Sequence, residues 1–396
     1  KFYDDPSISR TIKELSSSLR ETNNNLILSS HILPSSEELD DLITIINLPL
    51  PDVSELTALI KKIAFNTDSD LSEQDLNELA IASSGLSEIK VKQVTAKALT
   101  QRGKISKFDI KDILEEKKQV IARSEILEFC ESKSSQNDIG GLKLLKTWLK
   151  QRYRAFSKEA QEYGLPIPKG VLLVGPQGTG KSLTAKSISE SWSMPLLRLD
   201  VGRLFSSLVG SSEARTRETI SRAEAMSPCI LWIDEIDKGF GGDARSDGGT
   251  SQRVLASLLT WMAEKESAVF VIATANAIDK LPAELLRKGR FDEIFFLDLP
   301  NSEERLSILD LHLKKRRPSY NFPLSTIIDR TDGYSGAELE QAVIEGMHFS
   351  FSENRELMEK DLIKAVSELV PLSRTAKEQI DLLKEWSSTG RARSAS

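Results

Sequence analysis

The sequence has little that would crosslink the chain, bind zinc or cross a membrane. Its two cysteines, Cys130 and Cys229, stand far apart among 396 residues, a spacing typical of neither a disulfide framework nor a zinc site. No apolar run approaches the ~20 residues that a membrane-spanning helix needs. We therefore expect no membrane span and an aqueous interior compartment.

The sequence also lacks an excess of positive charge. Its formal net charge is −6 at pH 7, so no global field attracts nucleic acid or anionic lipid. The only dense basic run, at residues 314–317, precedes Pro318 and is interpreted as the charged last turn of a helix. We expect no nucleic-acid partner.

A glycine-rich loop follows the apolar residues 171–174. Glycines let a backbone curl so that several N–H groups point at one anion. Lys181 is spaced to reach the β- and γ-phosphates of a nucleotide, and Ser182 to give its hydroxyl to Mg²⁺. The alternative is a chance glycine turn. The predicted nucleotide-binding residues here are Gly175, Pro176, Gln177, Gly178, Thr179, Gly180, Lys181, Ser182 and Leu183.

Short apolar runs alternate with helical patterns from residue 165 onward. The predicted strands are residues 171–174, 196–199, 230–233, 269–273 and 294–297, and the predicted helices are residues 181–192, 212–225 and 251–264. This alternation favours an α/β fold, with a parallel sheet covered by helices on both faces. After Pro300 the pattern is entirely helical, which predicts a separate small helical domain.

Two carboxylates end the apolar run at residues 230–233. Ligands bind at the carboxyl edge of a parallel sheet, so Asp234 is predicted to hold Mg²⁺ together with Ser182. Glu235 is predicted to polarise a water for in-line attack on the γ-phosphate. The alternative is a strand that ends in solvated acids.

Three further polar residues are candidates for catalysis. Asn276 ends the next strand, where its amide could orient the attacking water or touch the γ-phosphate; it could also cap a helix. Arg287 and Arg290 could stabilise the charge of phosphoryl transfer, and such arginines can come from a neighbouring subunit. The alternative is that Arg290 only pairs with Asp292 or Glu293.

The first 125 residues resemble a later part of the chain. Residues 85–87 (Gly-Leu-Ser) parallel residues 333–335 (Gly-Tyr-Ser), and residues 107–113 parallel residues 359–365. Because such matches keep their order and nearly their offset, we interpret them as an internal repeat. The back half of a first module would precede a whole second one, and only the second has a phosphate loop.

These motifs, in this order, resemble one module of the AAA family of ATPases over about residues 137–386. Residues 137–142 are similar to the family's segment beside adenine, and residues 333–339 to the lid segment that closes over the base. In the same resemblance Asn276 matches the first sensor, Arg287 and Arg290 the paired arginine fingers, and His312 a lid histidine near adenine. It adds Asp138, Ile139, Gly140, His312, Gly336 and Ala337 to the expected ATP-binding residues.

The resemblance is strongest to the AAA ATPases encoded in cyanobacterial and algal chloroplast genomes, in which a degenerate module precedes an intact one. It implies a phosphate-loop NTPase fold with a C-terminal helical lid. The expected segments are a partial degenerate α/β segment (1–65), a degenerate helical lid (66–125), a linker (126–140), a large α/β ATPase domain (141–300), a helical lid (301–386) and a disordered tail (387–396).

Two departures from the family bear on activity. Leu208 stands where many members have an aromatic pore residue that grips a threaded protein, and it offers less contact area. No His-Glu-x-x-His occurs in the sequence, which excludes the zinc protease of one branch of the family within these residues.

Two functions remain after these observations. The first is a ring of ATPase modules, expected to be a hexamer, that uses ATP and Mg²⁺ to remodel an unidentified protein client. The second is an ATP-gated regulatory or scaffold protein with slow turnover and no threading. A DNA-dependent ATPase is disfavoured by the acidic balance. The resemblance implies the chloroplast stroma or a bacterial cytoplasm.

Overall fold

The computed structural model of the chain consists of two units, residues 1–49 and residues 50–396. The structure describes residues 6–19, 22, 24–29, 42, 44, 46, 50–67, 69–106, 109–122, 126–130, 140–205, 211–240 and 250–396. In the first unit, helix α1 spans Pro6–Leu19. Residues 24–29, which belong to the expected α/β segment, have no regular structure. A strand needs hydrogen-bonded neighbours, and the described residues of this unit include none.

A bundle of four helices opens the second unit. They are α2 (Val53–Asn66), α3 (Glu73–Ser83), α4 (Glu88–Arg102) and α5 (Ile110–Ala122). Apolar side chains such as Leu56, Leu79 and Val91 fill its interior, as expected for amphipathic helices. Asp52 and Glu55 form a reciprocal cap that starts α2. The bundle thus begins one helix before the boundary predicted at residue 66.

A seven-stranded sheet forms the centre of the second unit. Its strands are β1 (Leu127–Cys130), β2 (Gly170–Val174), β3 (Leu196–Leu199), β4 (Cys229–Ile233), β5 (Val269–Ala275), β6 (Glu293–Phe296) and β7 (Arg393–Ser394). Their order across the sheet is β1-β3-β4-β5-β2-β6-β7. Only the β1–β3 pair is antiparallel. The predicted α/β fold with a parallel sheet is confirmed.

Helices cover both faces of the sheet. They are α6 (Lys143–Tyr153), α7 (Lys158–Glu162), α8 (Lys181–Trp192), α9 (Val201–Phe205), α10 (Ser211–Ala225) and α11 (Thr250–Glu264). Side chains of α6 and α8 pack on one face, and those of α9, α10 and α11 on the other. Strands β2, β4 and β5 are therefore buried throughout, which explains their unbroken apolar sequences.

A small helical domain follows the sheet. It contains α12 (Ser302–Arg316), α13 (Ser325–Asp329), α14 (Gly336–Ser352) and α15 (Glu359–Glu368). Helices α16 (Leu372–Thr375) and α17 (Lys377–Trp386) follow it along the chain. Leu309, Leu339, Val343 and Leu362 lie in its core. This core draws on α12 to α15 and closes near Leu369.

The bundle of α2 to α5 and the small helical domain that begins with α12 share a helix cap and a glycine turn. A reciprocal cap starts α2 at Asp52 and α12 at Asn301. A glycine in the left-handed region, Gly85 or Gly333, stands two residues before a serine that caps α4 or α14. The two helical domains therefore share these caps and turns, as an internal repeat predicts.

The bundle is seated directly on the sheet domain. Ile121 of α5 lies in the same core as β3 and β4. Gly85 has φ +82°, and a Cβ atom there would lie 2.4 Å from the carbonyl oxygen of Ala225, so only glycine fits this close approach. Residues 127–130 were predicted as linker, but they form β1, because β3 offers an edge whose backbone groups need partners.

The C-terminal segment differs from its sequence expectation. Helix α17 was assigned to the lid, yet Leu383 and Trp386 pack into the sheet core. The predicted disordered tail forms a helical turn at Ser387–Arg391 and strand β7. Ala395 is 1% exposed, and its N–H donates to the carbonyl of Phe296 at 3.0 Å. Backbone pairing and this buried methyl group order a segment whose composition is small, polar and basic.

Candidate functional site

A cavity of about 490 Å³ lies at the carboxyl edge of the sheet, against the helical domain. Most residues predicted to bind nucleotide line it: Gly140, residues 177–183, His312, Gly336 and Ala337. Asp234, Glu235 and Asn276 also line it. The fold therefore brings together residues that the sequence separates by more than one hundred positions.

The glycine loop joins β2 to α8 and touches the helical domain. Gly178 has φ +76°, and a Cβ atom there would lie 2.8 Å from Oγ of Ser335. The N–H of Ala337 donates to the carbonyl of Gly178 at 3.1 Å. Helix α8 begins at Lys181 and directs its positive N-terminal end at the cavity. This cradle of backbone N–H groups suits a phosphate chain.

Lys181 is folded onto its own loop. Its ammonium donates to the carbonyls of Gly175 (2.7 Å) and Pro176 (2.6 Å). The side chain is 7% exposed, and burial lowers its pKa to about 8, although the charges of Asp237, Asp234 and Glu235 act in the opposite direction. Gly175 and Pro176 thus hold Lys181 rather than line the cavity.

Asp234 has one carboxylate oxygen held by two hydroxyl groups. Ser182 Oγ donates to its Oδ1 at 3.1 Å, and Thr274 Oγ1 donates to the same atom at 2.7 Å. Hydroxyl and carboxylate oxygens are the ligands that Mg²⁺ prefers. The donor set of Ser182 and Asp234 therefore fits the predicted metal. Among the described residues, no group of three or more His, Cys, Asp or Glu side chains forms another metal site.

Glu235 is held by two neighbours and by its backbone. Asn276 Nδ2 donates to its Oε1 at 3.1 Å, and the ammonium of Lys238 lies 2.5 Å from its Oε2. The backbone of Glu235 has φ +50°, an uncommon conformation for this residue type. Its N–H donates to Thr274 Oγ1 at 2.9 Å.

Sequence reasoning missed four polar residues of this network: Thr274, Asp237, Lys238 and Gln379. The buried carboxylate of Asp237 accepts from the N–H groups of Asn276 and Ala277. Gln379 of α17 donates to the carbonyl of Asn276 at 3.1 Å. A hydroxyl inside the apolar run of β5 could have indicated Thr274, whereas the contact of Gln379 depends on where α17 packs.

The helical domain adds a charged group to the cavity. Nδ1 of His312 lies 3.1 Å from Nη1 of Arg316 and 3.5 Å from Oε1 of Glu340. Arg316 also donates to Glu340. Because a guanidinium can only donate, a hydrogen bond between Arg316 and His312 has Nδ1 as its acceptor.

Arg287 and Arg290 do not line this cavity. Arg287 is exposed, and Arg290 is half-buried, with an Nε atom that has no hydrogen-bond partner. No described ion pair joins Arg290 to Asp292, whose carboxylate accepts from the N–H groups of Lys169 and Gly170. Asp138, Ile139 and Leu208 lie outside the described residues.

Helices long and apolar enough to span a bilayer are absent from the described ranges.

Comparisons with known proteins agree with this architecture. The family model described as the ATPase family associated with various cellular activities (AAA) matches residues 171–299. A model for the second domain of SpoVK-like AAA ATPases matches residues 54–124, which is the range of the helical bundle.

Two AAA domain-containing proteins are similar to nearly the whole chain, and a third relative to half of it. An AAA domain-containing protein, ycf46, of Guillardia theta is 47% identical over 100% of this chain and 79% of its own length. The ycf46 protein of Pyropia yezoensis is 46% identical over 98% of this chain and 79% of its own length. An ATP-dependent zinc metalloprotease, FtsH, of Cyanidium caldarium is 40% identical over 51% of this chain and 34% of its own length. The resemblance inferred from the motifs is confirmed.

Proposed function

The chain belongs to the AAA family of ATPases and hydrolyses ATP, and from that premise we propose that it acts as a ring, a hexamer, that remodels a protein client. The observation that carries this proposal is the distribution of positive charge. In the described lining of the cavity, Lys181 is the only lysine or arginine. Phosphoryl transfer needs further positive charge at the γ-phosphate, and Arg287 and Arg290 are available to a neighbouring subunit.

The proposed division of labour follows the contacts in the cavity. The loop N–H groups and Lys181 bind the phosphates, and binding draws the ammonium away from the carbonyls of Gly175 and Pro176. Ser182 and Asp234 hold Mg²⁺, which neutralises phosphate charge when bound. Glu235 takes a proton from the attacking water, which Asn276 helps to orient.

Closure of the helical domain is the proposed link between ATP and movement. Ala337 and Ser335 touch Gly178 directly, and Gln379 touches Asn276. A change in the phosphate loop would therefore reach α14 and α17. In a ring, such movements would act on the client.

We infer the chloroplast stroma or a bacterial cytoplasm as the compartment.

One observation favours the second candidate, an ATP-gated scaffold with slow turnover. Both oxygens of the Glu235 carboxylate are engaged, one by Asn276 and the other by Lys238. A base in this state is slow to accept a proton from water. Turnover then depends on breaking the contact with Lys238.

Mixing two inactive variants tests the ring. Arg290→Ala keeps Glu235 and lacks the arginine, whereas Glu235→Gln keeps the arginine and lacks the base. In an equal random mixture, about a quarter of the interfaces pair an intact Glu235 with an intact Arg290. We expect ATPase activity to return on mixing.

The matched control replaces the second partner with the double variant Glu235→Gln/Arg290→Ala, which supplies no arginine. Activity that returns with Glu235→Gln but not with this control supports a shared site. If neither mixture regains activity while each variant still binds ATP, the shared interface is wrong.

A further inference from the structure

Arg198 connects the metal ligand Asp234 to strand β1. Its Nη2 lies 3.9 Å from Oδ2 of Asp234, and its Nη1 lies 3.7 Å from Oε2 of Glu128. Both distances exceed that of a close charge-assisted hydrogen bond. One guanidinium is therefore shared between two carboxylates.

Sheet register brings these side chains to one place. Glu128 of β1 is directly opposite Arg198 of β3, and Arg198 is in register with Trp232 of β4. The guanidinium lies over the Trp232 ring, 5.4 Å from its centroid, a distance within the range of a cation–π contact. Asp234 follows Trp232 by two residues. The indole thus supports the guanidinium between the two carboxylates.

The two oxygens of Asp234 have different partners. Oδ1 accepts from Ser182 and Thr274, which fixes the plane of the carboxylate. Oδ2 faces the guanidinium of Arg198. A cation at this position competes with a metal ion for the same negative charge.

We propose that Arg198 is a positioning residue that limits the metal affinity of Asp234, and that Glu128 sets the strength of this effect. The helical bundle of residues 53–122 leads into β1, so this contact would let the bundle tune the ATP site. The inference rests on the proposed role of Asp234 in holding Mg²⁺.

The proposal predicts that Glu128→Gln and Arg198→Met change the metal affinity in opposite directions. Glu128→Gln releases the guanidinium from its second carboxylate, so Arg198 moves closer to Asp234 and metal binding weakens. Arg198→Met removes the competing cation, so metal binding tightens. Each change should be about two- to fivefold, as for partly exposed ion pairs. The double variant should match Arg198→Met, because Glu128 acts only through Arg198.

Binding of Mn²⁺ to the full chain saturated with ADP, followed by electron paramagnetic resonance, measures this affinity without turnover. Arg198→Lys keeps the charge and should stay within about twofold of the wild type. The matched controls are Glu218→Gln and Arg222→Met, which break an exposed ion pair on α10 and should leave Mn²⁺ affinity unchanged. A tightening in Arg198→Met cannot result from a loss of folded protein.

Ser182→Ala separates this inference from the proposed metal site. If Ser182→Ala leaves Mn²⁺ affinity unchanged, the proposed metal site is wrong. If Ser182→Ala weakens binding but Glu128→Gln and Arg198→Met both leave Mn²⁺ affinity unchanged, only the inference fails. Changes of the same sign in both variants, or effects that add in the double variant, also overturn it.

Discussion

The ammonium of Lys238 lies 2.5 Å from Oε2 of Glu235, the proposed catalytic base. This hydrogen bond and the charge of Glu235 raise the pKa of Lys238 above its usual value. The ammonium therefore stays charged across the physiological pH range, and it contacts the oxygen that Asn276 leaves available.

Removal of this contact should speed hydrolysis. Lys238→Ala frees Oε2 to accept a proton from water, and we expect the maximal rate of phosphate release to rise about two- to fivefold, the size of an exposed ion pair. Lys238→Arg keeps the charge and should resemble the wild type. An unchanged rate in Lys238→Ala, with ATP affinity intact, would show that the contact does not slow hydrolysis, and a lower rate would show that it assists catalysis.

Thr274 should be essential for the geometry of both carboxylates. Its hydroxyl donates to Asp234 and accepts from the N–H of Glu235, and it is buried. Thr274→Val keeps the shape and loses both bonds, which leaves a polar group unpaired at a cost of about 1–3 kcal/mol. We expect kcat to fall at least about tenfold.

Thr274→Ser is the matched control, because it retains the hydroxyl, and its kcat should remain near that of the wild type. Thermal unfolding of both variants shows whether the loss is local. Equal activity of the valine and serine variants would contradict this role.

Binding of ATP should weaken as the pH rises above about 8. Burial lowers the pKa of Lys181 to about 8, so the free protein loses this ammonium in that range, whereas a bound phosphate favours the protonated form. The dissociation constant of ATP should rise by up to about tenfold per pH unit between pH 8 and 10.

Calorimetry near pH 8.5 in two buffers with different ionisation enthalpies should show proton uptake on binding. Lys181→Ala should lose both the affinity and the pH dependence. A wild-type affinity that is constant from pH 7 to 9.5 would be inconsistent with a neutral, buried Lys181 in the free protein.

Local patterns in the sequence predicted the sheet and the centre of the site. The buried strands read as apolar runs, and the loop before Lys181 and the carboxylates after Ile233 follow such runs directly. These features depend on neighbouring residues along the chain. To predict where the site lies, only one general rule was then needed, namely that parallel strands present their carboxyl ends at one edge of the sheet.

The remaining contacts depend on distant parts of the chain. The pairing of β1 with β3 and the contact of Gln379 with Asn276 join segments that carry no distinctive pattern. Lys238 stands three residues after Glu235, but only the turn that follows β4 directs it back to the carboxylate. Tertiary packing, rather than local preference, determines these positions.

The C-terminal segment should contribute to both stability and nucleotide binding. Ala395 is buried among side chains of α6 and β6, and its carbonyl accepts from the N–H of Leu145 at 3.1 Å. Ser396 donates to Glu304 at 2.6 Å, and Glu304 lines the cavity. This segment therefore joins the edge of the sheet to the wall of the site.

Ala395→Asp places an unpaired carboxylate in this core, which should lower the free energy of unfolding by at least about 2–3 kcal/mol. The segment would then leave β6, and the affinity for ATP should fall because Glu304 loses its contact with Ser396. Denaturant unfolding and nucleotide titration measure the two effects. Ser394→Asp, at an exposed position of β7, is the matched control and should change neither. If Ala395→Asp is as stable as this control, the segment is not part of the folded core.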